Sequence, residues 1–163
     1  MKKSDNNVVS LFEQTNQGVQ KAVLTDSMKM KRGGSLSNPI VAYETWGKLS
    51  KQKDNVVVIL TGLSASSHVA SHSNNSKPGW WEGIVGPDKA IDTNKFYVIC
   101  VNSLGSCFGS TGPASINQIT GEPFRLTFPE LTIDDMATAT KLLLDKLDIK
   151  QINTLVGPSM GGM

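Results

Sequence analysis

The chain has 163 residues, enough for one domain with its own core. Sixteen basic side chains against 14 acidic ones leave a net charge of +2, with 39% apolar residues. That balance excludes nucleic acid or a membrane surface as the main partner. No apolar stretch approaches the ~20 residues of a membrane span, and no apolar run follows Lys2 and Lys3 as a secretory signal requires. A cytoplasmic location is expected, with Cys100 and Cys107 as free thiols.

Residues 1–20 are polar and without a sustained period, which predicts a mobile arm ahead of a domain over 21–163. Lys21–Thr25 and Ser27–Lys31 read as strands, and Gly33-Gly34 as a turn. Ile40–Trp46 is rich in strand formers, so an antiparallel hairpin at a sheet edge is expected. Val56–Leu60 and Phe96–Val101 are continuous apolar runs. Such runs suit strands of a parallel sheet buried on both faces and covered by helices. Between them, Thr61–Pro78 is a long Ser-, Gly- and Asn-rich loop, with Trp80 and Trp81 as its anchors. Gly105–Gly121 is a second such loop. Thr132 and Asp135 start a helix with a capping box, and Met136, Ala139, Leu143 and Leu147 trace its apolar face. Ile152–Val156 is read as a third buried strand. The order predicts an α/β fold with a mostly parallel sheet and an N-terminal antiparallel hairpin.

That third run leads into Gly157-Pro158-Ser159-Met160-Gly161, a G-x-S-x-G pattern. The pattern alone arises often by chance. After a buried strand it reads as a nucleophile elbow, a sharp turn that pushes the serine hydroxyl outward. A serine needs a base to take its proton and donors to hold the oxyanion. The Met160 N–H is one such donor, and the loop Thr61–Ala65 leaves the first buried strand where the second is expected. In this motif class the acid and the histidine follow the serine. The two histidines, His68 and His72, precede it. Their H-x₃-H spacing would align two metal ligands on a helix. The surrounding Ser and Asn do not read as a helix and no third ligand is evident, so hydrogen-bonding loop histidines and no metal are expected. Cys107 has no local base, and Gly105–Gly112 is no phosphate loop.

Several segments together resemble one family. They include Ala42–Gly47, Leu63-Ser64 through His68-Val69-Ala70, Pro78–Trp81, Ile91–Thr93, Asn102–Gly105, Gly109–Pro113, Phe128-Pro129, Thr132–Met136 and Ser159–Met163. In this order they are similar to the homoserine O-acetyltransferase family of the α/β-hydrolase fold, which includes serine and homoserine O-acyltransferases. The resemblance covers about residues 40–163. It implies ping-pong acyl transfer: Ser159 attacks the thioester of acetyl-CoA or succinyl-CoA, then passes the acyl group to an amino-acid hydroxyl. Met160 and Leu63 would supply the oxyanion N–H groups. Gly62, Leu63, Ser64 and Ala65 would border the acceptor. L-homoserine with an acetyl donor, in methionine synthesis, is the main reading. L-serine with an acetyl or succinyl donor, in cysteine synthesis, is the alternative, followed by an esterase, a thioesterase or an inactive fragment. No metal or prosthetic group is implied, the partners are small molecules, and a homodimer is the expectation for a full-length member. The loop Thr61–Ser66 departs from the family's His-Ala-Leu-Thr-Gly-Asp pattern, which bears on the acceptor. The family's acid, histidine and substrate-binding arginine would lie beyond Met163, so the resemblance implies a fold cut after the elbow.

Overall fold

The computed structural model describes residues 18–163. The arm expected over residues 1–20 falls, for residues 1–17, outside them. The described chain forms β1 (Gln20–Val23), β2 (Ser27–Lys29), β3 (Ser35–Ser37), β4 (Ile40–Trp46), β5 (Val56–Leu60), β6 (Val85–Gly86), β7 (Ile91–Asp92) and β8 (Tyr97–Val101). Helix α1 (Ile133–Lys146) and β9 (Thr154–Val156) follow. A five-stranded sheet runs in the order β1-β4-β8-β5-β9. Strand β5 pairs parallel with β8 and with β9, while β4 is antiparallel to β8 and to β1. The expected antiparallel edge is therefore built from β1 and β4. Between them the chain makes a separate small hairpin, β2–β3.

Strand alternation sorts the apolar runs onto two faces. Val56, Val58, Ile99 and Val101 join one core with Val41, Leu36, Met28, Ala139 and Leu143. Val57, Ile59, Val98 and Cys100 join the other with Trp46, Val69, Ala70 and Val85. Helix α1 packs on the first face. The second face departs from the expectation of helices on both sides. It is closed by the segment between β5 and β8, whose Trp80 and Trp81 pack against that cluster. The segment lacks a helical apolar period, so it covers the sheet with isolated large side chains instead. The third strand also differs from its prediction. It spans Thr154–Val156 rather than starting at Ile152, and it is not buried: Leu155 is 57% exposed. Its place at the end of the strand order leaves it a single pairing partner, β5.

The capping box is formed. Thr132 Oγ1 accepts from Asp135 N, and Asp135 Oδ2 accepts from Thr132 N at 2.8 Å. Asp135 is 2% exposed, and its Oδ1 also accepts from Lys31 N at 3.0 Å, tying α1 to the β2–β3 turn. Burial pushes its pKa up. The bonds from Thr132 and Lys31 outweigh that and hold it below the usual 3.8. Asp135→Ala is expected to cost about 2–3 kcal/mol, the scale of losing charge-assisted bonds at a buried site. The folded value is the depressed one, so the contribution is complete above pH 3.8 and is lost as the pH falls through the folded value. Urea melts of wild type and variant should differ fully at pH 7 and converge in acid.

Candidate active site

The elbow begins where β9 ends. Gly157 and Pro158 are extended, with Pro158 at φ −79°, and Ser159 then turns to φ 55°. A left-handed backbone at a non-glycine residue is strained, and such strain is what aims an elbow nucleophile. Ser159 is exposed and opens a short 3₁₀ turn over Ser159–Gly162, in which Gly161 N donates to Pro158 O at 3.0 Å. Two glycines permit the fold-back. A Cβ on Gly157 would collide with the Gly161 carbonyl, and one on Gly161 would collide with the Leu60 carbonyl at the end of β5.

That second contact sets the elbow against the loop leaving β5. A Cβ on Gly62 would stand 3.6 Å from both Pro158 O and Ser159 Cβ. Gly62 thus lies directly beside the serine. Leu63 follows it with its side chain 80% exposed, and Ser64 and Ala65 continue the same loop. The Thr61–Ala65 loop and the elbow are thus neighbours, with Gly62 against Ser159.

The histidines are brought elsewhere. Glu44 Oε2 lies 2.9 Å from His68 Nδ1 and 2.9 Å from His72 Nε2. Glu44 Oε1 accepts from Ser67 Oγ at 3.0 Å, and Ser67 Oγ accepts in turn from Asn102 Nδ2 at 3.2 Å. His68 Nε2 donates to Lys77 O at 2.7 Å. Both rings are therefore committed to β4 and its loop. In the sheet order β4 stands three strand spacings, about 14 Å, from β9. Neither histidine is placed as a base for Ser159. Glu44 is the residue that sequence reasoning missed. Its signal was present: Ala42, Glu44 and Trp46 share one strand face, and a carboxylate on a buried face demands partners.

The loop that carries the histidines is held by other parts of the chain. Glu82 accepts from Ser71 N at 2.7 Å, Ser71 Oγ at 2.8 Å and Gly79 N at 3.0 Å. The bonds from Gly79 and Ser71, with Lys89 nearby, hold the Glu82 carboxyl down at about 2 against a usual 4.5. Trp80 Nε1 donates to Ser66 O at 2.8 Å, and Trp46 Nε1 to Ala70 O at 3.2 Å. The aromatic anchoring expected of this loop is present.

The family model for the alpha/beta hydrolase fold matches residues 55–163, which hold β5, β8, α1, β9 and the elbow. The chain belongs to the alpha/beta hydrolase fold family. This alpha/beta hydrolase is 53% identical over 146 residues to a serine O-succinyltransferase of Xanthomonas campestris pv. campestris, covering 90% of the chain and 38% of that relative. It is 57% identical over 141 residues to a serine O-succinyltransferase of Frateuria aurantia, covering 86% of the chain and again 38% of the relative. Among solved structures, homoserine O-acetyltransferase from Bacillus anthracis superposes with a TM-score of 0.80 at 34% identity, over 88% of the chain and 40% of that protein. Esterase E22 superposes with a TM-score of 0.78 at 40% identity, over 88% of the chain and 41% of that protein. The resemblance to the O-acyltransferases read from the sequence is borne out. The chain spans about 38% of the length of the curated relatives it matches.

Both thiols are free, as expected. Cys100 is fully buried beside Glu44, and burial with that carboxylate raises its pKa well above the usual thiol value. No helix among the described residues is long and apolar enough to cross a membrane.

Proposed function

We propose that this chain is the nucleophile-bearing part of an O-acyltransferase that moves a succinyl group from succinyl-CoA to the hydroxyl of L-serine. The observation that carries the reading is an elbow serine at φ 55° in a chain 53–57% identical to serine O-succinyltransferases. This favours the serine acceptor and succinyl donor over homoserine and acetyl, which were the main sequence reading. Ser159 attacks the thioester carbonyl, and CoA leaves as the thiol. The Met160 and Leu63 N–H groups hold the oxyanion of each tetrahedral intermediate. The serine hydroxyl then attacks the acyl-enzyme, releasing O-succinylserine and regenerating Ser159. The base that takes the Ser159 proton comes from outside these 163 residues, because both of their histidines are bound to Glu44.

The test is CoA release by a polypeptide carrying these residues at the relatives' length. Succinyl-CoA and acetyl-CoA are each paired with L-serine and L-homoserine. Succinyl-CoA with L-serine is expected to give the highest kcat/KM. A preference for acetyl-CoA with L-homoserine would overturn the donor and acceptor assignment. Equal CoA release with and without an acceptor would instead support hydrolysis, the reading favoured by the likeness to esterase E22.

A further inference from the structure

Away from the elbow, three side chains from separate turns of the chain aim one donor atom each at a common point. Glu44 Oε2, His68 Nδ1 and His72 Nε2 all lie within 4.8 Å of one another. The Glu44 side chain is 1% exposed, and the two rings are 15% and 13% exposed. The elbow chemistry uses none of them.

Their hydrogen bonding leaves one close pair of acceptor atoms to be bridged. The Lys77 carbonyl, 2.7 Å from His68 Nε2, can only accept, so Nε2 carries a proton. In a neutral ring Nδ1 is then a bare lone pair, yet it faces a carboxylate oxygen at 2.9 Å. Asn75 Nδ2, at 3.4 Å, is too far to relieve that opposition. Two acceptors at such a distance need a proton or a metal ion between them.

We infer that this cluster is a binding site for a divalent transition metal of the zinc class, with Glu44, His68 and His72 as ligands and one position open. Two imidazoles and a carboxylate form a donor set that such ions take. The outer contacts also fit. A metal-bound imidazole is typically oriented by donating its other N–H to a carbonyl, as His68 does to Lys77 O. The ligand carboxylate is itself fixed through its second oxygen by Ser67. The same Glu44 oxygen faces both rings, so one cation serves both. Tetrahedral zinc ligands stand roughly 3.3 Å apart, so each ring need move only a few tenths of an ångström from the Glu44 oxygen, 2.9 Å away. His72 must exchange its long 3.3 Å bond from Asn74 N, because metal at Nε2 leaves the proton on Nδ1. An ion has routes in from two sides. Glu44 and His68 line a cavity of about 650 Å³, and His72 lines another of about 360 Å³. Bound there, the metal would pin the loop between β5 and β8 to strand β4.

Calorimetric titration of the metal-stripped protein with Zn²⁺, paired with Co²⁺ absorption, tests the site. One equivalent bound, with the intense visible bands of a four-coordinate Co²⁺, is the expected result. Glu44→Gln and His72→Gln should each weaken binding by more than ~100-fold, beyond what an outer contact costs. His72 sits at a cavity rim, so its variant should keep the fold if Glu44→Gln does not. Nitrogen-15 spectra of the histidine rings give an independent reading. Shifts of the His68 Nδ1 and His72 Nε2 resonances on adding Zn²⁺ support the site. Both resonances unmoved at one equivalent of Zn²⁺, or binding unchanged in His72→Gln, would overturn it.

Discussion

Ser159→Ala is expected to lower acyl transfer by on the order of 10⁴-fold or more, because no acyl-enzyme can form without the hydroxyl. Single-turnover CoA release checks this, using succinyl-CoA and a polypeptide of the relatives' length. Ser159→Gly should be equally inactive, but it separates chemistry from backbone strain. Ser159 sits at φ 55°, a region that costs a residue with a Cβ about 1–2 kcal/mol and costs glycine little. Alanine keeps that cost and glycine removes it, less the entropy that glycine adds to the unfolded chain. The glycine variant is therefore expected to be more stable than the alanine variant by about 1 kcal/mol in urea melts. Equal stability would mean that the elbow does not hold the serine in a left-handed conformation. A turn that gains stability when the Cβ is removed has a shape that serves reaction rather than folding.

Much of this architecture was legible because strong local signals coincided with tertiary ones. Val56–Leu60 and Tyr97–Val101 read as buried strands because a run apolar at every position has no face to offer water, and both lie inside the sheet. Thr132 and Asp135 announced the start of α1 through their spacing alone. Strand β9 was misread for the opposite reason. Leu155 and Val156 are apolar like the residues of β5, but exposure depends on which strand lies beside them, and sequence does not say that. The segment between β5 and β8 looked like a loop because it lacks a period. Its role as the cover of one sheet face rests on Val69, Ala70, Val85 and two tryptophans at irregular spacing. Glu44 escaped notice because its partners are 24 and 28 residues away. The acceptor was legible only as a departure from a pattern in Thr61–Ser66, and the proposal of serine rests on the likeness to relatives.

Gly157→Ala is expected to destabilise the fold by more than about 3 kcal/mol and to remove transfer activity with it. The new methyl would enter the Gly161 carbonyl, which is backbone rather than a side chain that could swing aside. Gly161 cannot retreat either, since it already rests on the Leu60 carbonyl at the end of β5. The clash can be relieved only by opening the turn between β9 and the 3₁₀ segment. Opening it would draw Ser159 away from Gly62 and the loop that leaves β5. Gly83 is the control. Nothing lies within 4 Å of a Cβ placed there, and its φ is not in the left-handed range. Gly83→Ala should therefore be neutral or stabilising by up to about 1 kcal/mol, through the unfolded chain alone. Urea midpoints of the two variants then read one quantity, the space beside the backbone. If Gly157→Ala melts with Gly83→Ala, the close approach of Gly157 to Gly161 is absent, and so is the elbow that depends on it.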